Sequence, residues 1–159
     1  MDPGQAGRCL ETDWPGLARQ AEALLHDESD PVANAANLSA LLFEALEDVN
    51  WVGFYFLKDG ELVVGPFQGK PACVRIALGA GVCGTAAQLR NPVRVADVHE
   101  FGGHIACDPV SRSEMVVPLI CADKLVGVLD FDSPTPGRFS AADEIGAIAL
   151  ASIYCAAIS

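Results

Sequence analysis

Three cysteines occupy positions that packing does not call for. Cys73 follows Gly69-Lys70-Pro71-Ala72 at the start of an apolar run, Cys83 lies in the Gly-rich stretch GAGVCGTAAQ (79–88), and Cys107 sits in the middle of the polar stretch GHIACDPVSRSE (103–114). A packing cysteine normally sits inside an apolar strand or helix, whereas a thiol at the end of an element is free to react. Cys83 reads as part of the first turn of a Gly-flanked helix, where the helix dipole favours a thiolate. Zinc is one use for this set, because Cys73, Cys83, His104 and Cys107 together offer four ligand groups. Zinc ligands usually come as C-x2-4-C knuckles, however, and the three cysteines are 10 and 24 residues apart. A thiol redox set suits the spacing better, since its members need only approach one another transiently. Of the other cysteines, Cys121 and Cys155 lie in apolar runs and read as core thiols, and Cys9 is incidental. His99 and His104 read as structural.

Carboxylates and aromatics supply a second set. Asp130 and Asp132 are two apart on the strand pattern LVGVLDFD (125–132), so they share a face with Val126 and Val128. The opposite face reads Leu125, Gly127, Leu129 and Phe131. Both faces are apolar up to the C-terminal end, the pattern of a central strand buried on both sides. Two carboxylates emerging together need a cation, a proton or solvent. Either the strand end frays into water or the pair lines a pocket for an ammonium group. Trp51 and Tyr55 are four apart on another strand, with Gly53 between them. They fit plain core packing, or a gap that seats an aliphatic or sulfur-containing side chain. Glu114, seven residues after Cys107, opens a third strand and is either solvated or turned into the same cleft.

The elements that must position these residues follow from periodicity. Residues 1–12 form a loose, flexible tail and 13–159 a single domain. Asp13-Trp14-Pro15 and Asp30-Pro31 are helix starts, followed by apolar stripes at Leu17, Ala21, Leu24, Leu25 and at Leu38, Leu41, Leu42, Ala45, Leu46. Strands are expected at 50–57, 61–67, 73–78, 92–97, 114–122 and 125–132, with hairpin turns at Asp59-Gly60 and Asp123-Lys124. A short helix opens in 79–88, a loop runs over 98–113, and a last helix starts at Ser140, with Glu144 one place beyond an ideal capping box. The order ααβββαβ–loop–ββα describes an α+β domain, a central antiparallel sheet flanked by helices.

Composition narrows the partners. The 159 residues suit one domain with one core, and the net charge of −11 repels nucleic-acid phosphates and anionic lipid. No signal peptide is apparent, and the longest uncharged apolar run (145–159) is short of the roughly 20 residues that span a bilayer. A soluble, cytoplasmic protein is expected, with its cysteines mostly thiols despite their even number. The apolar last helix suits a subunit interface, hence a homodimer.

Taken together these residues resemble a known family. The order of elements is similar to a GAF domain, and Lys124 with Phe139-x3-Asp143-Glu144 matches the general GAF pattern, with Asp123 where an Asn is usual. Within GAF domains the resemblance is to the free methionine-(R)-sulfoxide reductases. It is carried by NWVGFY (50–55), GPFQGKPAC (65–73), RIALGAGVCGTAA (75–87), DVHEFGGHIACD (97–108), SEMVVPL (113–119) and GVLDFDSP (127–134).

That resemblance implies a single GAF domain that reduces free methionine sulfoxide. It implies Cys107 as the attacking cysteine, Cys73 as the resolving one and Cys83 as an auxiliary thiol. Trp51, Tyr55, Glu114, Asp130 and Asp132 become the substrate-binding residues, with Glu114 also the candidate acid. The implied cycle passes through a sulfenic acid on Cys107 and a Cys73–Cys107 disulfide, reduced by thioredoxin, without metal or other cofactor. A ligand-sensing regulatory GAF module, binding a cyclic nucleotide or a tetrapyrrole, is the alternative from a different class.

Overall fold

The computed structural model describes residues 11–103 and 108–159. Of the expected tail, only Glu11 and Thr12 fall within the described residues. Helices α1 (Trp14–Leu24) and α2 (Pro31–Ala45) begin at the expected caps. Asp13 accepts from the Gly16 N–H at 3.0 Å and Asp30 from the Ala33 N–H at 2.8 Å, with a proline in the first turn of each helix. Strands β1 (Trp51–Lys58) and β2 (Glu61–Gln68) form a hairpin across Asp59-Gly60, both at positive φ. The short β3 (Arg75–Ala77), helix α3 (Gly81–Leu89) and β4 (Val93–Val95) follow, then a 3-10 turn at Val98–Glu100. Strands β5 (Ser113–Cys121) and β6 (Lys124–Ser133) lead to the last helix, α4 (Ala141–Ala157).

The six strands form one antiparallel sheet in the order β3-β2-β1-β6-β5-β4, so β1 and β6 are central, as the doubly apolar pattern of β6 requires. Helices α1, α2 and α4 cover one face over a core that includes Phe54, Met115, Leu129, Phe131 and Tyr154. Helix α3 covers the other face over Trp51, Tyr55, Val116 and Val128. That second, smaller layer carries the candidate chemistry. Among the described residues no helix is long and apolar enough to cross a membrane.

Three sequence expectations are corrected. The β5–β6 turn is Ala122-Asp123, both left-handed, with Lys124 already in β6 and paired to Cys121. The capping box of α4 is closed by Asp143 rather than by Glu144. Ser140 Oγ accepts from the Asp143 N–H at 3.1 Å, and Asp143 Oδ2 accepts from the Ser140 N–H at 2.8 Å. Asp143 also accepts from Trp14 Nε1 at 2.9 Å and from Arg138 at 3.2 Å, which ties α1 to the start of α4.

The third correction concerns Cys121 and Cys155, which are not separate core thiols but a disulfide joining the end of β5 to α4, with their Cα atoms 5.1 Å apart. The apolar runs around both residues pack into one sheet–helix interface, with Cys155 buried and Cys121 half-buried, and that brings them together. A link across 34 residues contributes about 3–4 kcal/mol by restricting the unfolded chain. Cys155→Ser is expected to lose that amount in denaturant melts without reductant, and reductant should lower the parent's midpoint but not the variant's. Coincident melts of the two under both conditions would show that the bond contributes nothing in solution.

Candidate active site

The register of the three middle strands builds the site. Asp132 on β6 pairs with Trp51 on β1 and with Glu114 on β5, so these three lie in one row across the sheet. In the next row Asp130 pairs with Gly53 and Val116. Side chains in both rows face α3. Trp51, Tyr55, Glu114, Asp130 and Asp132 therefore line a single cleft, which is roofed by the first turn of α3 (Gly81, Val82, Cys83) and by Pro71 and Ala72 of the β2–β3 loop.

Of the strand-end acids, Glu114 and Asp130 are buried and Asp132 is half-buried. Glu114 is 6 % and Asp130 5 % exposed. The Cys83 thiol, also buried, donates to Glu114 Oε1 at 3.8 Å. Burial, and then the charge of Asp132, pushes Glu114 well above the usual carboxylate range. Burial and then Glu114 do the same to Asp130, while burial followed by Asp130 and Asp108 does so to Asp132. No lysine, arginine or histidine is among the described residues that line the cleft. Ionising all three acids together is thus opposed, and the cluster has a place for a cation.

The same field reverses the expectation for Cys83. The N-terminus of α3 was to favour its thiolate, but burial, followed by Asp130 and Glu114, raises the thiol pKa well above its ordinary value. Three close carboxyls outweigh one helix terminus. Cys83 is a protonated thiol at rest, and the free cysteine among the described residues. Cys73 is disulfide-bonded. Cys107 and His104 lie outside the described residues. His99 sits in the 3-10 turn, where its backbone N–H donates to Asp97 at 3.1 Å.

The aromatic pair does something other than frame a gap. Trp51 stacks on Tyr55 with ring centroids 5.9 Å apart and on Phe67 at 5.1 Å. A Cβ at Gly53 would overlap the Phe67 Cβ, so the space between the aromatics is already filled by Phe67 and the Trp51 ring. The polar ends of both aromatics are committed to one loop. Trp51 Nε1 donates to the Lys70 carbonyl and Tyr55 Oη to the Cys73 carbonyl, each at 3.1 Å. The pair forms a wall of the cleft and fixes the loop that carries Cys73.

Asn50 is a site residue that the sequence reading missed. Its Nδ2 donates to Asp108 Oδ2 and to Ser111 Oγ, each at 3.1 Å, and its backbone N–H donates to the Asp132 carbonyl at 2.9 Å. It thereby ties the segment after Cys107 to the strand end that carries Asp132, and Asp108 and Ser111 both line the cleft. A polar residue immediately before an apolar strand was the available signal.

Comparison with known proteins shows the family of the chain. The GAF domain model matches residues 20–158. The free methionine-R-sulfoxide reductase of Escherichia coli is 55 % identical over 133 residues, covering 84 % of this chain and 81 % of that protein. The chain belongs to the free methionine-R-sulfoxide reductase family of GAF domains. Two solved structures place that family's fold on the chain. The Staphylococcus aureus protein fRMsr in complex with substrate has a TM-score of 0.90 at 48 % identity, covering 94 % of this chain and 97 % of that one. The free methionine-R-sulfoxide reductase of Neisseria meningitidis, in complex with its substrate, has a TM-score of 0.88 at 43 % identity, covering 91 % and 87 %. The GAF domain match includes the whole cleft of this reductase-family chain, from Trp51 on β1 to Asp132 on β6.

Proposed function

We propose that the protein reduces free methionine-R-sulfoxide to methionine by thiol chemistry. The observation that carries this reading is the trio of buried Glu114, buried Asp130 and half-buried Asp132, which has a place for a cation and no lysine, arginine or histidine beside it among the described residues. The ammonium group of a free amino acid supplies that cation, whereas a methionine within a peptide has none. The substrate carboxylate is assigned to the first turn of α3, whose N–H groups lack intrahelical partners. The methyl sulfoxide end lies against the Trp51–Tyr55 wall.

Cys107, as thiolate, attacks the sulfoxide sulfur, and Glu114 protonates the oxygen. Methionine departs and the oxygen remains on Cys107 as a sulfenic acid. The Cys73 thiol condenses with it, forming the Cys73–Cys107 disulfide and releasing water. A dithiol such as thioredoxin then reduces that disulfide, so two thiols are oxidised for each sulfoxide reduced. Cys83 serves as an auxiliary thiol donating to Glu114. Self-association would use the exposed apolar residues of α4, Ile145 and Ile148.

The test is a thioredoxin-coupled assay on both epimers of methionine sulfoxide, free and peptide-bound. Turnover is expected with the free R epimer alone. Equal turnover of the peptide-bound form would overturn the assignment of the acids to the ammonium group.

A further inference from the structure

Three of the groups that converge at the closed end of the cleft are donors of mixed softness. Cys83, Glu114 and Asp130 are all buried, and each offers one ligand atom such that the three lie within 4.8 Å of one another. The Cys83 Sγ to Glu114 Oε1 separation is 3.8 Å. Zinc bonded to sulfur at about 2.3 Å and to oxygen at about 2.0 Å in tetrahedral geometry holds those two atoms roughly 3.5 Å apart. The fit is therefore within side-chain adjustment. An independent observation marks the cluster as incomplete. Asp130 Oδ1 is buried and accepts no hydrogen bond among the described residues, although the residue is only 5 % exposed. A buried carboxylate oxygen without a donor is costly unless something charged comes to it.

An ammonium group would satisfy that oxygen, but it gains nothing from a thiol beside it. A thiolate with two carboxylates is instead a donor set for a borderline-soft divalent cation. We propose that Cys83, Glu114 and Asp130 bind one such ion, zinc in the cell and cadmium as its laboratory stand-in. Three protein ligands leave a fourth position open to the cleft, as in zinc sites that keep a water. Binding displaces the Cys83 proton, and any proton held by Glu114 or Asp130, to solvent and forms one sulfur–metal and two oxygen–metal bonds, with no change of oxidation state. The ion would occupy the place assigned above to the substrate's ammonium group and so compete with substrate. That consequence rests on the proposed function, whereas the binding itself rests on the cluster alone.

The test is titration of the oxidised chain, in which Cys73 is disulfide-bonded, with cadmium chloride, followed by the ultraviolet thiolate-to-cadmium charge-transfer band. Calorimetry with zinc chloride runs alongside. One ion per chain is expected. Cys83→Ser should abolish the band, and Asp130→Asn should keep it while weakening binding at least tenfold. Absence of a band in the parent, or an unchanged band in a folded Cys83→Ser chain, overturns the proposal. Should Cys83→Ser fail to fold, Asp130→Asn decides, and unaltered affinity there overturns it. Free methionine-R-sulfoxide should weaken cadmium binding in proportion to its own occupancy. Cadmium binding indifferent to substrate supports the metal site and rejects the ammonium placement. Turnover of substrate by a chain that binds no metal does the reverse.

Discussion

Cys107→Ser is expected to leave no measurable turnover of free methionine-R-sulfoxide, a loss on the order of 10^4-fold or more, the scale on which removal of a nucleophile is felt. A serine hydroxyl is not ionised at neutral pH, and no histidine or lysine is among the described lining residues to act as a base for it. Cys73→Ser should behave differently. The first methionine is released before Cys73 is needed, so one equivalent of product should form and thioredoxin-dependent cycling should stop with a sulfenic acid on Cys107. The Cys73 loop is held by Tyr55 and Trp51, and Asp108 and Ser111 are held by Asn50, so the segments next to the two cysteines in sequence are tethered. The measurement is methionine released per chain, with and without thioredoxin. Sustained cycling in Cys107→Ser would sink the attacking role, and sustained cycling in Cys73→Ser the resolving one.

The fold and the row of acids were legible in the sequence because they depend on period alone. The alternation of β6 fixes that Asp130 and Asp132 share a face, and its two apolar faces fix that the strand is central. What period cannot give is which strands lie beside it. The row Trp51–Asp132–Glu114 joins residues 81 and 18 positions apart from Asp132, and only the register sets them side by side. The errors have the same origin. Cys83 was assigned to a helix terminus, a local feature, while its protonation is governed by carboxyls that arrive from two strands. The Cys121–Cys155 bond links a strand end to a helix that the sequence could only describe as apolar. The choice between packing and a gap at Gly53 stayed open because Phe67, which fills the space, belongs to the partner strand.

Glu114→Gln separates an acid from a mere hydrogen-bond donor. Glutamine keeps the shape and can still donate, but it has no proton to transfer. A fall in kcat of roughly 10^2- to 10^4-fold is expected, the usual worth of a positioned general acid. The parent's kcat should decline as pH rises through the elevated pKa of the Glu114 cluster, which titrates as a unit, and the decline should be absent in the variant. Stability offers a second readout of opposite sense. A carboxyl whose folded pKa is raised keeps its proton in the folded chain after losing it in the unfolded one, so folding takes up a proton and stability falls as pH increases. The contribution is fully present below the ordinary carboxylate pKa near 4 and is lost as pH passes through the folded value. Removing the charge of Glu114 should therefore flatten the pH dependence of the melting temperature and raise it at alkaline pH, even as activity collapses. A variant less active and more stable at high pH is the signature of a buried acid kept protonated for use, whereas a variant within threefold of the parent's kcat would assign the proton elsewhere in the cluster.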